Sequence, residues 1–269
     1  IKIKNLLTDN GFFEVINDPF VSICNDISLN IDNPIDSNKK YLRTNLKNSL
    51  LNNLTYNERR QKDSIKLFEV SDIYTLNSSS KRVIGIIASG RVDKTYENFT
   101  RKIDVKYLNN IFEDHISNIH SLKFENISRE SLNSRLKDPI FYTEFEIDLI
   151  EDVKYRTSDT TQDQINYKYV PISEFPCSLR DLSFSIEHYP NSDVIQDYIL
   201  NFKEDLLKEV FIFDYFFNKK NKVIKIGFRF IFQDSTTTIT EEQVNAIMDV
   251  IINHTTKLKG VKIPGLTYD

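Results

Sequence analysis

Hydrophobic and polar positions in the second half of the chain, residues 168–269, predict one defined order of elements. Four segments show the apolar alternation that is typical of strands: FPCSLRDLSFSI, LLKEVFIFDYFF, KVIKIGFRFIFQ and KGVKI. Two segments repeat apolar residues every three or four positions, as amphipathic helices do: NSDVIQDYILNF and TITEEQVNAIMDVIINHTTKL. The order strand, helix, strand, strand, helix, strand predicts a ferredoxin-like βαββαβ domain, in which two helices cover one face of a four-stranded antiparallel sheet.

The third strand of this domain indicates how the two faces of its sheet differ. Successive side chains of a strand point to opposite faces, so residues two apart share a face. One set is entirely apolar and is expected to face the helices: Ile224, Ile226, Phe228, Phe230 and Phe232. The alternate set is expected on the helix-free face and contains two cations and a glycine: Val223, Lys225, Gly227, Arg229 and Ile231.

The first half of the chain mixes helical and strand patterns and predicts a separate domain. Helices are predicted over residues 1–10, from Leu42 to Arg60 and from Val105 to Ile119. Strands are predicted in FFEVINDPFVS, IKLFEVSDIY, KRVIGIIASGR and PIFYTEFEIDLI, with a Ser-rich turn joining the second to the third. The polar stretch YRTSDTTQDQINYKY has no apolar period and is predicted to be a linker. The chain is therefore interpreted as two α+β domains, residues 1–165 and 168–269.

The charge balance excludes a protein that coats nucleic acid with its whole surface. The chain has 35 Lys and Arg against 39 Asp and Glu, a net charge of -4, so any basic surface is expected to be local. The 2 cysteines and 4 histidines lack metal-ligand spacing, so neither a metal site nor a disulfide framework is predicted. No apolar run is long enough to span a membrane, and no signal peptide is evident. The chain is expected to be cytoplasmic and, since it begins with Ile, to be a piece of a longer protein.

The first half offers little catalytic chemistry. Nucleotide-binding loops need clustered glycines that let backbone amides approach phosphate, and the 6 glycines of this chain are dispersed. Glu144 and Glu146 lie two positions apart on a predicted strand and could act as an acid–base pair, but solvent-facing alternation is the favoured interpretation. No Ser/His/Asp or Cys/His set is apparent. No catalytic residue is therefore predicted.

Several motifs, in the same order along nearly the whole chain, carry a resemblance to a known family. Four of them resemble the ferredoxin-fold anticodon-binding domain of phenylalanyl-tRNA synthetases: FPCSLRDLSFSI, VFIFDYFF, KIGFRFIFQDSTTTITEEQVN and KLKG. The catalytic-like module of the bacterial β subunit resembles four others: NGFFEVINDPFVS, LRTNLKNSLL, NLTYNERR and KLFEVSDIY. The resemblance implies a class-II-synthetase-like antiparallel sheet with helices in residues 1–165, followed by an anticodon-binding domain in residues 168–269.

The resemblance also implies a function for the assembled enzyme. In this family the active site lies on the α subunit, so the first module is expected to support that subunit without catalysing the reaction itself. The complete enzyme is expected to be an α2β2 heterotetramer that joins phenylalanine to its tRNA with ATP and magnesium, while this chain alone binds no cofactor. The expected partners are therefore the α subunit and phenylalanine tRNA, with no membrane.

Individual anticodon-binding residues follow from the resemblance by position. The anticodon contacts of the family fall on Ser178, Phe216, Lys225 and Lys259. Phe216 stands where the family often has Tyr, which keeps base stacking but loses a hydroxyl, and Lys225 replaces a usual Ser. Arg180 begins the first strand of this domain and is interpreted either as an RNA contact or as a salt-bridged strand start.

The expected α-subunit contact lies on the leucine-rich helix that begins near Leu42. Arg43, Leu46 and Leu50 are assigned to this interface, because an exposed apolar patch beside charged residues often marks a partner surface. A helix that packs into its own core is the alternative for the leucines.

Two other functions are retained as alternatives. A single-chain organellar phenylalanyl-tRNA synthetase also ends in this domain, although the glycine-poor first half argues against the nucleotide pocket that it needs. A non-enzymatic module that binds RNA or protein could share the ferredoxin-like fold, since many functions do. One departure from the family is expected in SRLKDPIFY, where a hairpin that usually precedes the strand at Phe141 is shortened or lost.

Overall fold

The computed structural model of the chain describes residues 2–22, 28–36, 38–76, 78–113, 122–130, 132, 134, 136–147 and 171–265. The chain divides into two compact units, the first with residues 1–92 and 102–161 and the second with residues 93–101 and 162–269. Segment 93–101 is thus part of the second unit, although the sequence pattern puts it within the first domain. The predicted linker, residues 155–169, and the predicted helix beyond residue 113 lie outside the described residues.

The first unit is built around a five-stranded sheet. In chain order its elements are α1 (Lys2–Asp9), β1 (Phe13–Glu14), β2 (Phe20–Val21), β3 (Tyr41–Leu42), α2 (Lys47–Arg59), β4 (Ser64–Thr75), β5 (Ser78–Gly90), α3 (Val105–Glu113), β6 (Glu125–Ile127) and β7 (Ile140–Glu146). The strand order is β1-β4-β5-β7-β6, with β1 parallel to β4 and the other neighbours antiparallel. β2 and β3 form a separate two-stranded antiparallel sheet. The hairpin predicted around the Ser-rich turn is β4 and β5, and it is confirmed.

Helices cover both faces of this sheet, because its central strands are apolar on each side. On one face, α1 and α3 share a core with Phe68 of β4 and Ile86 of β5. On the other face, the leucines of α2 share a core with Leu67 of β4 and Ile87 of β5. Neighbouring residues of one strand therefore face different helices, and the described part of the unit has three layers, helix, sheet and helix.

Two predicted elements of the first unit differ from the structure, and one observed strand was not predicted. The segment FFEVINDPFVS forms the two short strands β1 and β2 rather than one strand, since Pro19 has no amide hydrogen to donate to a ladder. The predicted helix begins at Lys47 rather than at Leu42, because Tyr41 and Leu42 pair with β2. β6, which the sequence pattern does not reveal, pairs with β7, so a short paired strand does precede Phe141.

The second unit contains the predicted ferredoxin-like arrangement. Its elements are β8 (Ser178–Ile186), α4 (Tyr189–Leu200), β9 (Leu207–Asn218), β10 (Val223–Phe232), α5 (Glu241–Thr255) and β11 (Val261–Lys262). The sheet order is β11-β8-β10-β9, and every neighbouring pair is antiparallel. The α+β fold class and the βαββαβ order are thereby confirmed.

One apolar core joins the two helices to one face of this sheet. The β10 residues predicted to face the helices are all buried: Ile224, Ile226, Phe228, Phe230 and Phe232. They share this core with Ile199 of α4 and Val244 of α5. α5 begins with a capping box, in which the Gln243 amide donates to the Thr240 hydroxyl at 3.3 Å and the Thr240 amide donates to the Gln243 side-chain oxygen at 2.8 Å. The helix-covered face is closed, which leaves the other face of the sheet for a ligand.

Candidate nucleic-acid interface

One end of the helix-free face holds a row of four residues in register. Lys225 of β10 lies opposite Phe216 of β9 and opposite Ser185 of β8, and Ser185 lies opposite Lys262 of β11. Residues directly opposite each other in antiparallel strands place their side chains on the same face, with Cβ atoms about 4.5–5.5 Å apart. The fold therefore sets an aromatic ring, a cation, a hydroxyl and a second cation side by side, and we call these four residues the cross-strand row.

Two members of the cross-strand row are suited to contact a nucleic acid. The Phe216 side chain is 54% exposed, and Lys225 is exposed beside it. Among the described residues, Lys225 forms no ion pair, whereas Lys262 pairs with Glu187 at 2.7 Å. The hydrogen bond from Lys262 lowers the pKa of the Glu187 carboxyl. Proteins that bind single-stranded nucleic acid stack bases on exposed aromatic rings and contact the phosphates with nearby cations. Phe216 and Lys225 form such a combination.

The helix-free face is covered further along the sheet by the segment 93–101. Phe99 of this segment is 6% exposed, and its ring centroid lies 6.0 Å from that of Phe211 and 5.3 Å from that of Phe213. The Arg229 guanidinium carbon lies 4.9 Å from the Phe99 ring centroid, a cation–π distance. A ligand can therefore approach the face at the cross-strand row, whereas the surface at Arg229 is occupied by the protein itself.

Asp181 has a structural role on the covered part of this face. It lies opposite Arg229 in the register of β8 and β10. The Arg229 guanidinium donates from Nε at 2.7 Å and from Nη2 at 2.6 Å to the two carboxylate oxygens of Asp181. Bidentate pairs of this kind are stronger than single hydrogen bonds and fix geometry. The Arg-Asp start of β8 thus provides a carboxylate that orients the guanidinium beneath Phe99.

Two of the predicted anticodon contacts point to the opposite side of the sheet. Ser178 and Arg180 lie opposite phenylalanines of β10 that face the helices. Arg180 donates from Nη1 to the Ser178 hydroxyl at 2.9 Å, and its Nη2 lies 3.5 Å from a carboxylate oxygen of Glu241. The β10 partner of Arg180 lies five residues from Lys225, or about 16 Å at about 3.3 Å per residue. The structure therefore does not bring these two residues to the cross-strand row. Of the two interpretations of Arg180, the structure agrees with the salt-bridged start of a strand.

Lys259 lies just before β11, at the same end of the sheet as the cross-strand row. Its side chain is exposed, and its carbonyl accepts a hydrogen bond from the Asn191 side-chain amide at 2.7 Å. The next residue, Gly260, has a φ of 76°, a conformation that favours glycine, and its carbonyl accepts from the Glu187 amide at 2.9 Å. The backbone at Lys259 is therefore fixed, and the structure groups Phe216, Lys225 and Lys259 at one end of the sheet.

The three residues predicted to contact an α subunit lie in the interior of the first unit. Leu46 and Leu50 are fully buried, and Arg43 is 2% exposed. The Arg43 guanidinium donates from Nη1 to Glu69 at 2.8 Å and from Nε to the Asp72 carbonyl at 3.3 Å. We therefore correct the placement of a partner surface on these side chains, because an apolar helix face laid on an apolar sheet leaves them no accessible area. The alternative interpretation, in which the leucines of this helix pack into the core of their own domain, agrees with the structure.

One glycine of the first unit is packed in its core. Gly85 of β5 lies against α2, and a Cβ atom there would be 2.9 Å from Leu50 and 3.0 Å from Leu46. Leucine side chains thus fill the space over this part of the sheet. Glu144, considered above for acid–base chemistry, accepts hydrogen bonds from the Leu46 amide and the Tyr142 hydroxyl, both at 2.6 Å. The interpretation of Glu144 as solvent-facing is wrong, since this carboxylate holds the start of α2.

Neither metal nor membrane features occur in the described ranges. No group of three or more His, Cys, Asp and Glu side chains is placed there to hold a metal ion. No helix within the same ranges is both long enough and apolar enough to cross a membrane. Cys177 forms no disulfide within the described part of the chain, and Cys24 lies outside it.

Both halves of the chain match known protein families. Residues 1–135, half of the chain, match the family described as phenylalanyl tRNA synthetase beta chain CLM domain. The chain belongs to the phenylalanyl-tRNA synthetase beta chain family. Residues 173–263 match a second family, the ferredoxin-fold anticodon binding domain. The resemblance stated from the sequence motifs is thereby confirmed for both halves.

Bacterial phenylalanine–tRNA ligase beta subunits are similar to this chain over most of its length. That of Dehalococcoides mccartyi (strain CBDB1) is 26% identical over 93% of this chain and 35% of its own length. The relatives from Carboxydothermus hydrogenoformans and Dechloromonas aromatica are 26% and 22% identical, over 97% and 94% of this chain and over 38% and 36% of their own lengths. A solved pyrrolysyl-tRNA synthetase from Desulfitobacterium hafniense has a TM-score of 0.35 at 16% identity, over 54% of this chain and 64% of that one. The chain therefore spans little more than a third of the length of these curated relatives.

Proposed function

We propose that the chain is part of a phenylalanine–tRNA ligase β subunit and binds the anticodon region of phenylalanine tRNA with its second unit. The observation that carries this proposal is the cross-strand row, in which the exposed Phe216 lies opposite Lys225, a cation that has no ion pair among the described residues. An anticodon loop offers unpaired bases, which proteins bind by stacking them on aromatic rings beside cations. The match to an anticodon-binding family over residues 173–263 supports the same assignment.

The first unit acts in this proposal as a structural platform for a catalytic α subunit. Helices cover both faces of its described sheet, and this packing suits a structural role in an assembly better than a catalytic one. The complete α2β2 enzyme would work in the cytoplasm, and ATP and magnesium would bind to its α subunits. This chain alone is expected to form no aminoacyl-tRNA.

Replacing Phe216 tests the RNA-binding proposal directly. Phe216→Ala is expected to weaken binding of the full chain to phenylalanine tRNA by about 1–3 kcal/mol, or roughly 5- to 150-fold in Kd, because a stacked base loses its ring. Phe217→Ala is the matched control, since Phe217 is the next residue of β9, is 42% exposed and lies opposite Ile224, which faces the helices. The measurement is fluorescence anisotropy of labelled tRNA at fixed salt, with circular dichroism to verify folding.

The cation of the same row is tested by its salt dependence. Lys225→Gln is expected to reduce the slope of log K against log salt by about 0.7, the value for one phosphate contact of a single strand. If Phe216→Ala and Lys225→Gln both bind like the parent at every salt concentration, this row is not the anticodon site. A folded parent chain that binds no tRNA at all would instead favour the alternative of a protein-binding module.

The α-subunit contact is placed on the apolar segment 13–20. Phe13 is 71% exposed, Ile16 is 93% exposed and Phe20 is 41% exposed. Large apolar side chains that are exposed within one short segment often mark a partner surface. This segment offers the accessible area that the buried leucines of α2 lack.

Co-purification tests this placement of the α-subunit contact. Phe13→Ser combined with Ile16→Ser is expected to reduce the amount of α subunit retained by roughly tenfold or more, since truncated interface anchors often cost about 2 kcal/mol each. Ile35→Ser is the control, because Ile35 is also fully exposed but lies outside the segment. Equal retention by the parent and the double variant would place the contact elsewhere.

A further inference from the structure

The turn between β9 and β10 carries a compact group of lysines that the cross-strand row does not include. Lys219, Lys220 and Lys222 are all exposed, and we call these three residues the lysine tip. Within the described ranges, none of the three forms an ion pair. Three uncompensated cations in four consecutive positions make a local positive charge in a chain whose net charge is -4.

The turn that presents the lysine tip is well defined. The Asn218 side-chain oxygen accepts hydrogen bonds from the Lys220 amide at 3.0 Å and the Asn221 amide at 3.4 Å. Lys222 has a φ of 52°, and the strands resume pairing with Val223 opposite Asn218. Local side-chain bonds of this type fix turns. The lysines therefore project from a fixed point at the end of the hairpin.

Several other cations in the described part of the second unit pair with carboxylates. Four such ion pairs occur: Arg229 with Asp181, Arg180 with Glu241, Lys262 with Glu187 and Lys94 with Glu209. The lysine tip and Lys225 lie within seven positions of sequence and have no such partner among the described residues. Four exposed lysines that have no ion pair among the described residues, the lysine tip and Lys225, therefore lie together at the hairpin end of the sheet, where the cross-strand row also lies.

The position of the lysine tip relative to Phe216 indicates what it meets. Lys219 follows Phe216 by three residues, so the tip begins about 10 Å beyond the ring at about 3.3 Å per residue. A lysine ammonium is a compact point charge that suits phosphate oxygens, and the tip has no aromatic side chain on which a base could stack. Double-stranded RNA is contacted mainly through its phosphates and 2′-hydroxyls.

We propose that the lysine tip binds the phosphate backbone of the double-stranded stem that adjoins the loop held at the cross-strand row. This inference rests on the proposed anticodon-binding function and extends the binding surface from unpaired bases to the paired stem. Phe216 and Lys225 hold the loop, and the tip adds electrostatic affinity that is independent of sequence.

Two RNA probes of different structure test the inference with the full chain. One is the anticodon stem-loop of phenylalanine tRNA, and the other is a single-stranded oligonucleotide with the loop sequence alone. The variant is Lys219→Gln combined with Lys220→Gln, which leaves Lys222 and its left-handed backbone unchanged. The matched control is Lys203→Gln combined with Lys208→Gln, which removes two exposed charges at the opposite end of β9.

The tip variant is expected to reduce the salt slope for the stem-loop by about 1.8, from two contacts of about 0.9 each on a duplex, and to bind the loop oligonucleotide like the parent. The control variant is expected to match the parent on both probes. An unchanged slope for the stem-loop would overturn the inference, and so would an equal loss on the two probes. In either case a loss caused by Phe216→Ala would leave the anticodon site standing, whereas a parent chain that binds neither RNA would overturn both proposals.

Discussion

Arg43→Ala is expected to lower the free energy of unfolding of the first unit by about 3–5 kcal/mol, because it leaves a buried carboxylate without its cation. The side chains of Arg43 and Glu69 are each 2% exposed, and Nη1 of Arg43 lies 2.8 Å from Oε1 of Glu69. The Glu69 carboxylate also accepts from the Asn17 side-chain amide at 2.7 Å and from the Asn17 backbone amide at 3.3 Å. These two donors are neutral and cannot balance the charge of Glu69 once Arg43 is removed.

An exposed pair and a double variant serve as controls for this result. Lys81 pairs with Glu146, with side chains 47% and 42% exposed, so Lys81→Ala is expected to cost no more than about 1 kcal/mol. Arg43→Met combined with Glu69→Met is expected to cost less than Arg43→Ala alone, because it removes both buried charges. Hydrogen exchange of β4 and β5 peptides in a urea series would measure the loss. A double variant less stable than Arg43→Ala would contradict the charge-burial explanation.

Gly90→Ala is expected to destabilise the first unit by about 3 kcal/mol or more, through backbone strain and the loss of a hydrogen bond. Gly90 ends β5 with a φ of 93°, and a Cβ atom there would lie 2.1 Å from the Asp63 carbonyl oxygen. That oxygen accepts from the Arg91 amide at 2.7 Å, so it cannot move away without breaking the pairing at this end of the hairpin. The free energy of unfolding is measured from the same urea series.

Gly265 separates the two causes of this effect. It has a similar φ of 91°, but a Cβ atom there would have no neighbour within 4 Å. Gly265→Ala therefore adds strain alone and is expected to cost the second unit about 1–2 kcal/mol at most. Equal losses in the two variants, each measured on its own unit, would show that the contact with Asp63 contributes nothing.

The fold of the second unit could be predicted well because the alternation of apolar and polar residues within each strand is visible over a few consecutive residues. Each strand of the ferredoxin-like domain alternates within its own few residues, and this fixes which side chains face the helices. The alternation that predicts Phe228 on the helix-covered face also predicts Lys225, an odd number of positions away, on the open face. The same alternation sets Arg180 with Leu182 and Phe184, on the helix side, and could have separated Arg180 from the cross-strand row before the structure was known.

The first unit was predicted less well because its decisive contacts join residues that are distant in sequence. Arg43 meets Glu69 across 26 positions, and the Leu46 amide meets Glu144 across 98. No local period records such pairs, so both carboxylates were open to other interpretations. One signal was available at Glu69, which stands between Phe68 and Val70 in an apolar run, since a charge there needs a buried partner.

The aromatic cover of the second unit was missed for a related reason. Segment 93–101 has no strand or helix period, and its Phe99 finds Phe211 and Phe213 more than a hundred positions later in the chain. Only the folded structure shows that part of the helix-free face is occupied by the protein's own residues.

Because segment 93–101 packs on strands that are translated much later, the second unit cannot complete its fold until those strands have been synthesised. Residues 93–101 leave the ribosome well before β9, and at about 5–20 residues per second roughly 5–20 s separate the two. During this interval the Phe99 ring lacks the two β9 rings, Phe211 and Phe213, against which it packs. The second unit is assembled from an early piece and a late piece, so its sheet gains its aromatic cover only when the last third of the chain has emerged.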